Sequence, residues 1–409
     1  MPLSVWILAA VLLLTAIRQL GVFRLAIWQA MAAGAVAVLA TGGITPTAAW
    51  AAINLDAIAF LFGMFVVGRG LEESGYLAEL GFRLFRRARS ADGLLLLLLL
   101  GMGAGAAVVM NDTIAIIGTP LVLDLGRRHR LPAELLLPAL AFAVTVGSVV
   151  SPIGNPQNLL IAAQGRLANP FAAFAGRLLL PTAANLGLTW LWLRWRFRAY
   201  LGRAALEHRP PAPADPALAR LARFCLAVIL LLIAAKVVLA LWRPAVDFSL
   251  TWIALAGAVP LLAAHPRRAC LLRHIDWATL VFFAAMFVLM AAVWQCGFFQ
   301  RLLTWLALDP LSLPAILGVS VLMSQVVSNV PMVALYLPVL QQAGAAAGHL
   351  LALAAGSTIA GNLLLLGAAS NVIIVQAAEQ RGETLSFFAF ARLGVPLTVA
   401  QVAVYWLLL

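Results

Sequence analysis

Twelve apolar runs fill this chain from residue 3 to residue 409, and two of them are too long for one membrane crossing yet are broken mid-way by polar residues. The runs fall at 3–20, 25–41, 51–69, 93–126, 135–162, 171–194, 222–241, 249–264, 275–293, 312–345, 349–378 and 388–409. A spanning helix needs about 20 apolar residues, so a chain organised this way folds in a bilayer, with at most roughly 13 crossings. Composition agrees: 64% apolar and 10% charged, where soluble domains run near half and about a quarter. A cytosolic enzyme, a secreted disulfide scaffold and a nucleic-acid binder are excluded.

The two long runs, 93–126 and 312–345, are interrupted by Met-Asn-Asp-Thr at 110–113 and Ser-Asn-Val-Pro at 328–331. Arms of about 15 to 18 residues are short for full crossings, which predicts two re-entrant helical hairpins with polar tips near mid-membrane. Non-helical backbone survives at that depth only where protein or a water-filled cavity satisfies it.

Arg83, Arg86, Arg87 and Arg89 precede the first hairpin and Arg127, Arg128 and Arg130 follow it, so both its ends lie on the cytoplasmic side. The second is flanked by Arg301 alone and reads as entering from the exterior. The N-terminal segment lacks a basic n-region and carries Arg18 after its apolar run, the pattern of a retained first span. Threading the other runs between these anchors gives ten spans and two hairpins in a multi-pass protein of the cytoplasmic membrane, with both termini outside. Segments 18–24, 83–89, 127–130, 194–223, 267–273 and 381–392 then fall inside and hold 21 of the 27 Lys and Arg. The net charge of +12 is therefore orientational, with no nucleic-acid partner to invoke. Cys225, Cys270 and Cys296 and the five histidines show no metal-site spacing.

The two halves match at a slowly drifting offset. AGAVAVLA from Ala33 matches AGAVPLLA from Ala256, LDAIAFLFGMFV from Leu55 matches IDWATLVFFAAMFV from Ile275, and ESGYL from Glu73 matches QCGFF from Gln295. Asn111 and Pro120 match Asn329 and Pro338; Gly154 and Asn158 match Gly367 and Asn371. Residues 1–194 and 222–409 form the repeats, joined by the basic linker 195–221. Five spans per repeat is odd, so the second repeat enters the membrane inverted, the signature of secondary transporters.

Four polar interruptions carry the candidate chemistry. The tips supply Asn111, Asp112, Thr113, Ser328 and Asn329. The 151–158 segment, Ser-Pro-Ile-Gly-Asn-Pro-Gln-Asn, contains Gly154, Asn155, Pro156, Gln157 and Asn158, and breaks its helix because Pro removes a backbone donor and Gly frees the dihedrals. Gly367, Ser370 and Asn371 are the weaker counterpart. Helix breaks brought together offer amide N–H groups to an anion and carbonyls to a cation. Asp112 is the one acid near mid-depth in either hairpin, and intramembrane ionisable groups mark function by default. It suits a proton or a sodium ion near Asn111, Asp112 and Asn329, and nothing in the sequence separates the two. Asp56 and Asp276 read as N-caps, Lys236 as a snorkelling side chain, Arg69 and Glu73 as a surface pair, and Gly101, Gly103 and Gly105 as packing glycines.

On these tips and broken spans the sequence resembles the ion transporter superfamily: divalent anion/sodium symporters, citrate-transporter-like permeases and arsenite permeases. The most specific motifs are SNV at Ser328 with Pro338 nine residues past Asn329, NDT at Asn111 with Pro120 nine past it, and SPIGNPQN. The resemblance implies a scaffold (1–92 and 222–311), a moving transport domain (93–194 and 312–409), an elevator-like mechanism and, often, a homodimer. In the dicarboxylate branch both tips read Ser-Asn-Thr; here Met110 replaces the first Ser, Asp112 the first Thr and Val330 the second Thr. The Asn-Asp tip looks more like the arsenite permease and proton-coupled branches.

The sequence therefore predicts an all-α secondary active transporter moving a small anion or oxyanion, coupled to protons or sodium, with no cofactor. The competing reading is arsenite or antimonite efflux, or cation/proton antiport, on the same scaffold. An intramembrane enzyme finds no HExxH and no second carboxylate near Asp112.

Overall fold

The structure is a computed structural model that describes every residue except 1, 18, 21–22, 25–26, 166, 202–214, 243–248, 266–267, 299–300, 302–308 and 380. The middle of the basic linker and Arg18 and Arg267 thus lie outside the described residues. In chain order the first half contains α1 (Leu3–Ile17), α2 (Ile27–Ala40), α3 (Pro46–Ala52), α4 (Leu55–Glu73), α5 (Tyr76–Phe85) and α6 (Ala91–Val109). It continues with α7 (Asn111–His129), α8 (Ala133–Ser148), α9 (Pro156–Gln164), α10 (Pro170–Arg196) and α11 (Arg198–Leu201). The second half contains α12 (Pro216–Trp242), α13 (Leu250–Ala264), α14 (Arg268–Arg273), α15 (Trp277–Gln295) and α16 (Leu313–Val327). The last helices are α17 (Asn329–Gln342), α18 (Ala347–Ile359), α19 (Ala369–Glu379) and α20 (Phe387–Leu408). A two-residue strand pair, Gln19–Leu20 against Phe23–Arg24, departs from the all-α expectation.

Among the described residues, α6, α10, α12, α15 and α20 are each long and apolar enough to cross a membrane, and α3 with α4, bent by 48°, makes a sixth. Surface and interior are inverted relative to a soluble protein. Asn155, Asn158, Asn185, Asn362, Asn371 and Gln401 are fully buried, whereas Trp50 (68%), Trp252 (67%) and Phe388 (75%) are exposed. Such a surface is stable only against lipid, and the chain is a polytopic helical membrane protein.

Helices begin where the sequence supplies a side-chain oxygen for the first free amides. Asn54 Oδ1 accepts from Ala57 N at 2.9 Å, Ser90 Oγ from Gly93 N at 3.1 Å and Asp276 Oδ1 from Thr279 N at 2.9 Å. Asp276 is thus an N-cap as expected. Asp56 is not: Asn54 takes that role two residues earlier, and Asp56 lies in the first turn of α4. Lys236 does not snorkel either; α12 packs against α4 and α13, and the lysine is enclosed at 4% exposure.

Packing recurs between the halves. α4 lies along α13, and α15 lies along α2. A Cβ on Gly34 of α2 would fall 2.5 Å from Val11 Cγ2 and 3.1 Å from Leu289 Cδ2; one on Gly257 of α13 would fall 2.6 Å from Ile229 Cγ1 and 3.5 Å from Val67 Cγ2. Gly34 with Gly257 and Leu289 with Val67 are matched positions of the two halves, and the remaining partner, Val11 or Ile229, comes from the first long helix of its half, so the contact recurs. Likewise α6 packs on α8 and α16 on α18, α7 on α19 and α17 on α9. The polar-interrupted helices α8 and α18 are buried on every side over Leu135–Ser148 and Leu350–Ile359. Gly103 serves close packing as expected: a Cβ on Gly147 would fall 2.2 Å from Gly103 Cα, so α6 and α8 meet backbone to backbone.

Each hairpin reverses on a single residue. Met110 has φ 75° and ψ 144°, and Ser328, 218 positions later, has φ 71° and ψ 161°. Positive φ at a non-glycine residue costs about 1–3 kcal/mol and persists only where the surroundings enforce it. The arms of the second hairpin, 15 and 14 residues, are short as expected. Those of the first are 19 residues each, about 28 Å at 1.5 Å per residue. They outrun the apolar sequence because Ser90 caps one end and Arg127, Arg128 and His129 suit the C-terminal dipole at the other. Arm length therefore does not distinguish a re-entrant first hairpin from two full crossings.

Candidate functional site

Because Met110 ends α6 and starts α7 at once, Asn111, Asp112 and Thr113 form the first turn of α7 instead of a loop. Asn111 N donates to Gly154 O at 2.9 Å, tying the first tip to the first broken span. Asn111 Oδ1 accepts from Asp112 N at 2.9 Å. The half-buried Asp112 carboxylate has no hydrogen-bond or ion-pair partner among the described residues. Thr113 packs on α4, where a Cβ on Gly68 would fall 3.0 Å from its Oγ1.

The first break runs from the end of α8 at Ser148 to Pro156 at N1 of α9. Asn158 Nδ2 donates to three freed carbonyls, Ser148 O (3.1 Å), Val149 O (3.3 Å) and Ser151 O (3.0 Å). Asn155 Oδ1 caps α9 on Asn158 N at 2.8 Å, and its Nδ2 donates to Ser148 Oγ (3.0 Å) and Thr358 Oγ1 (3.1 Å). Gln157 Nε2 reaches Thr358 Oγ1 at 3.5 Å, and that hydroxyl donates to Asn158 Oδ1 at 3.2 Å. Gly154 is required, since a Cβ there would lie 2.3 Å from Ser148 O. These amides hold the break open as structure.

The second break passes from α18 through two 3-10 turns, Ala360–Asn362 and Leu365–Gly367, to α19. Asn371 Nδ2 donates to Gly361 O at 2.6 Å, the bond Asn158 makes to Ser148, ten residues back in each case. Gly367 N bonds Leu364 O as Gly154 N bonds Ser151 O. Gln325 Nε2 donates to Val321 O (2.9 Å) and Ala360 O (2.8 Å), and its Oε1 lies 2.8 Å from where a Cβ on Gly367 would stand.

Here the two halves diverge. Gln325 Oε1, Asn329 Oδ1, Asn371 Oδ1, Ser370 Oγ and Ser324 Oγ are buried and have no partner among the described residues. Carbonyl acceptors fix the amide orientation of Gln325 and Asn371, so their free oxygens can only accept. Each such atom costs about 1–3 kcal/mol when unpaired. Among the described residues no three His, Cys, Asp or Glu side chains converge, so a cation here would meet amide and hydroxyl oxygens.

Thr145, Thr358, Ser324 and Gln325 were not among the sequence candidates. Thr145 and Thr358 carry the same offset, 213, as the Asn158 and Asn371 match, and extending that match finds them. Gln325 has Ala107 opposite it and leaves no such signal. The expected surface pair of Arg69 and Glu73 is in fact part of a partly buried group of four. Arg69 Nε is 3.0 Å from Glu73 Oε1, Arg69 Nη1 2.7 Å from Glu72 Oε2, and His265 Nε2 3.4 Å from Glu73 Oε2.

A lipid-facing exterior around buried, interrupted helices defines a membrane transporter. The chain belongs to the citrate transporter family, CitMHS, whose model matches residues 10–351. It is 32% identical over 282 residues, 69% of this chain and 70% of its relative, to the inner membrane protein YbiR of Escherichia coli. It is 34% identical over 160 residues, 39% of this chain and 33% of the relative, to the silicon efflux transporter LSI3 of rice. The fold is similar to that of the YdaH transporter of Alcanivorax borkumensis, with a TM-score of 0.58 at 15% identity over 99% of this chain and 96% of that one. The chain is a transporter, not an enzyme.

Proposed function

We propose that the protein is a secondary active transporter of a small anion or oxyanion in the bacterial inner membrane, coupled to protons or sodium through Asp112. The observation that carries this reading is a carboxylate on one tip and buried acceptors around the other, all without partners among the described residues. Neither Arg nor Lys figures among the residues of the two tips and two breaks. Acceptors without a fixed cation repel a bare anion and favour one carried with its hydroxyl protons or with an accompanying cation.

The matched contacts support reading the chain as two inverted repeats. The basic residues at both ends of the first hairpin support its re-entry from the cytoplasm and both termini outside. In this reading α1–α5 with α12–α15 are the scaffold and α6–α10 with α16–α20 the transport domain, which moves elevator-fashion, commonly within a homodimer. Two contacts favour the division: Thr182 Oγ1 and Tyr405 OH, 3.0 Å apart, join α10 to α20 within the one part, and α4 packs along α13 within the other. The relative named for silicon efflux favours the second reading, efflux of a weak oxyacid such as arsenite on the same scaffold.

Purified protein in proteoliposomes, loaded or bathed with a panel of carboxylates and oxyacids under imposed sodium or proton gradients, tests both readings. One substrate should move faster than in protein-free vesicles only under one gradient. Unchanged coupled flux in Asp112→Asn would sink the mechanism.

A further inference from the structure

One turn of the second break is held from three helices at once. In the 3-10 turn Ala360–Asn362, Ala360 O accepts from Gln325 Nε2 of α16 at 2.8 Å, and Gly361 O accepts from Asn371 Nδ2 of α19 at 2.6 Å. Asn362 Nδ2 in turn donates to Gln401 Oε1 of α20 at 2.9 Å. Gln401 Nε2 donates to Thr189 Oγ1 of α10 at 3.1 Å, and that hydroxyl donates to Asn185 O at 2.7 Å, so both ends of the Gln401 amide are committed. The α20 backbone presses on the same turn, since a Cβ on Gly394 would fall 2.0 Å from Asn362 O. Asn185, Thr189, Asn362 and Gln401 are all fully buried.

A seam that only fastens α10 to α20 is the plain explanation, and the molecule contains its own control. Three polar positions recur 216 residues apart on these two helices: Thr182 with Thr398, Asn185 with Gln401 and Thr189 with Tyr405. Asn185 is thus the match of Gln401, yet its Nδ2 lies 3.5 Å from Gln401 O and serves the seam alone. The match of Asn362 is Val149, which has no side-chain amide, and in the first break Asn158 alone holds Ser148 O and Val149 O. Thr182 Oγ1 and Tyr405 OH join the same two helices by bonding to each other. Fastening α10 to α20 therefore does not require an amide on the turn.

The turn's other two partners show where such a brace has an effect. Gln325 and Asn371 each use their NH2 group on this turn, and their oxygens are buried acceptors without partners among the described residues. We propose that Gln401 is a positioning residue for the substrate. Through Asn362 it fixes where the carbonyls of Ala360 and Gly361 stand, and these carbonyls fix where the Gln325 and Asn371 oxygens stand. A three-residue 3-10 turn is one tight unit, so a shift at Asn362 carries both carbonyls with it. A buried amide paired at both ends rigidifies what it holds. Gln401 itself touches no substrate and acts only through the turn. The inference rests on the second break meeting substrate, as in the proposed transport reading.

The test is concentration-dependent flux of radiolabelled citrate, succinate, sulfate and arsenite in proteoliposomes of the full chain, beside thermal unfolding in detergent. For the probe that the parent moves saturably, Gln401→Met should raise the half-saturating concentration about tenfold, the scale of one buried hydrogen bond, and leave maximal flux within about twofold. Tyr405→Phe, which breaks the other bond of the same seam, should lower the unfolding temperature and leave half-saturation at the parental value. An unchanged half-saturation in Gln401→Met, or an equal rise in Tyr405→Phe, overturns the assignment. If Gln401→Met does not fold, Asn362→Leu breaks the same bond from the turn and is read in the same way. Half-saturation raised in Asn371→Ala but not in Gln401→Met removes this inference and leaves the transport reading standing. A parent that moves none of the four probes removes both.

Discussion

The two broken spans share a backbone design and differ in how far their polar atoms are satisfied. Around the first, Asn158 and Asn155 together donate to three carbonyls and two hydroxyls, and Thr358 closes the network from the other half. Around the second, Asn371 makes one bond to Gly361 O, and its oxygen, with those of Asn329 and Gln325, has no partner among the described residues. A buried polar group that is fully paired rigidifies; one left unpaired is a cost that function can recover by binding. In the proposed transport reading the first break holds the fold and the second meets substrate or ion, with the Asp112 carboxylate on the first tip.

Six substitutions probe that division, from the largest effect down. Asp112→Asn should reduce gradient-driven flux to the protein-free background while leaving the thermal unfolding temperature in detergent unchanged. Gly147→Val should abolish folded protein, because even a Cβ there falls 2.2 Å from Gly103 Cα; overpacking of a core contact costs about 1–3 kcal/mol and more where backbone is the obstacle. Size-exclusion chromatography reads the loss.

Asn158→Ala should destabilise by about 3 kcal/mol or more, since several buried carbonyls lose their donor at once. Asn371→Ala, at about 1–2 kcal/mol, should instead lower substrate affinity. Thermal unfolding beside concentration-dependent flux separates them, and equal stability losses would erase the contrast between the breaks. The smallest pair is the two matched threonines. Thr358→Val should cost about 1–2 kcal/mol through its amide partners, whereas Thr145→Val should be close to neutral in stability, because Thr145 Oγ1 has no partner among the described residues.

Much of this was legible in the sequence because bilayers impose simple rules. Run length, basic flanks and polar interruptions located both hairpins and both breaks, and the offset match paired Asn158 with Asn371 before any contact was visible. Cap assignments were less secure: Asp56 looked like its counterpart Asp276, but Asn54, two residues ahead, reaches the same amides. Arm length was misread for the first hairpin because a helix extends past its apolar run when caps and terminal charges stabilise the extra turns. Arg69 and Glu73 looked solvent-exposed because helical spacing says nothing of a histidine almost two hundred residues away.

What the sequence alone determined is therefore the environment, the helical class and the places where helices must stop, since an unsatisfied backbone in lipid admits few alternatives. Only the tertiary structure decided which of those stops are satisfied and which are not. Two asparagines at matched positions carry the same local pattern. One faces three carbonyls and a threonine from the opposite half; the other keeps an oxygen to spare. That difference lies in contacts across some two hundred residues of chain, which no local pattern records.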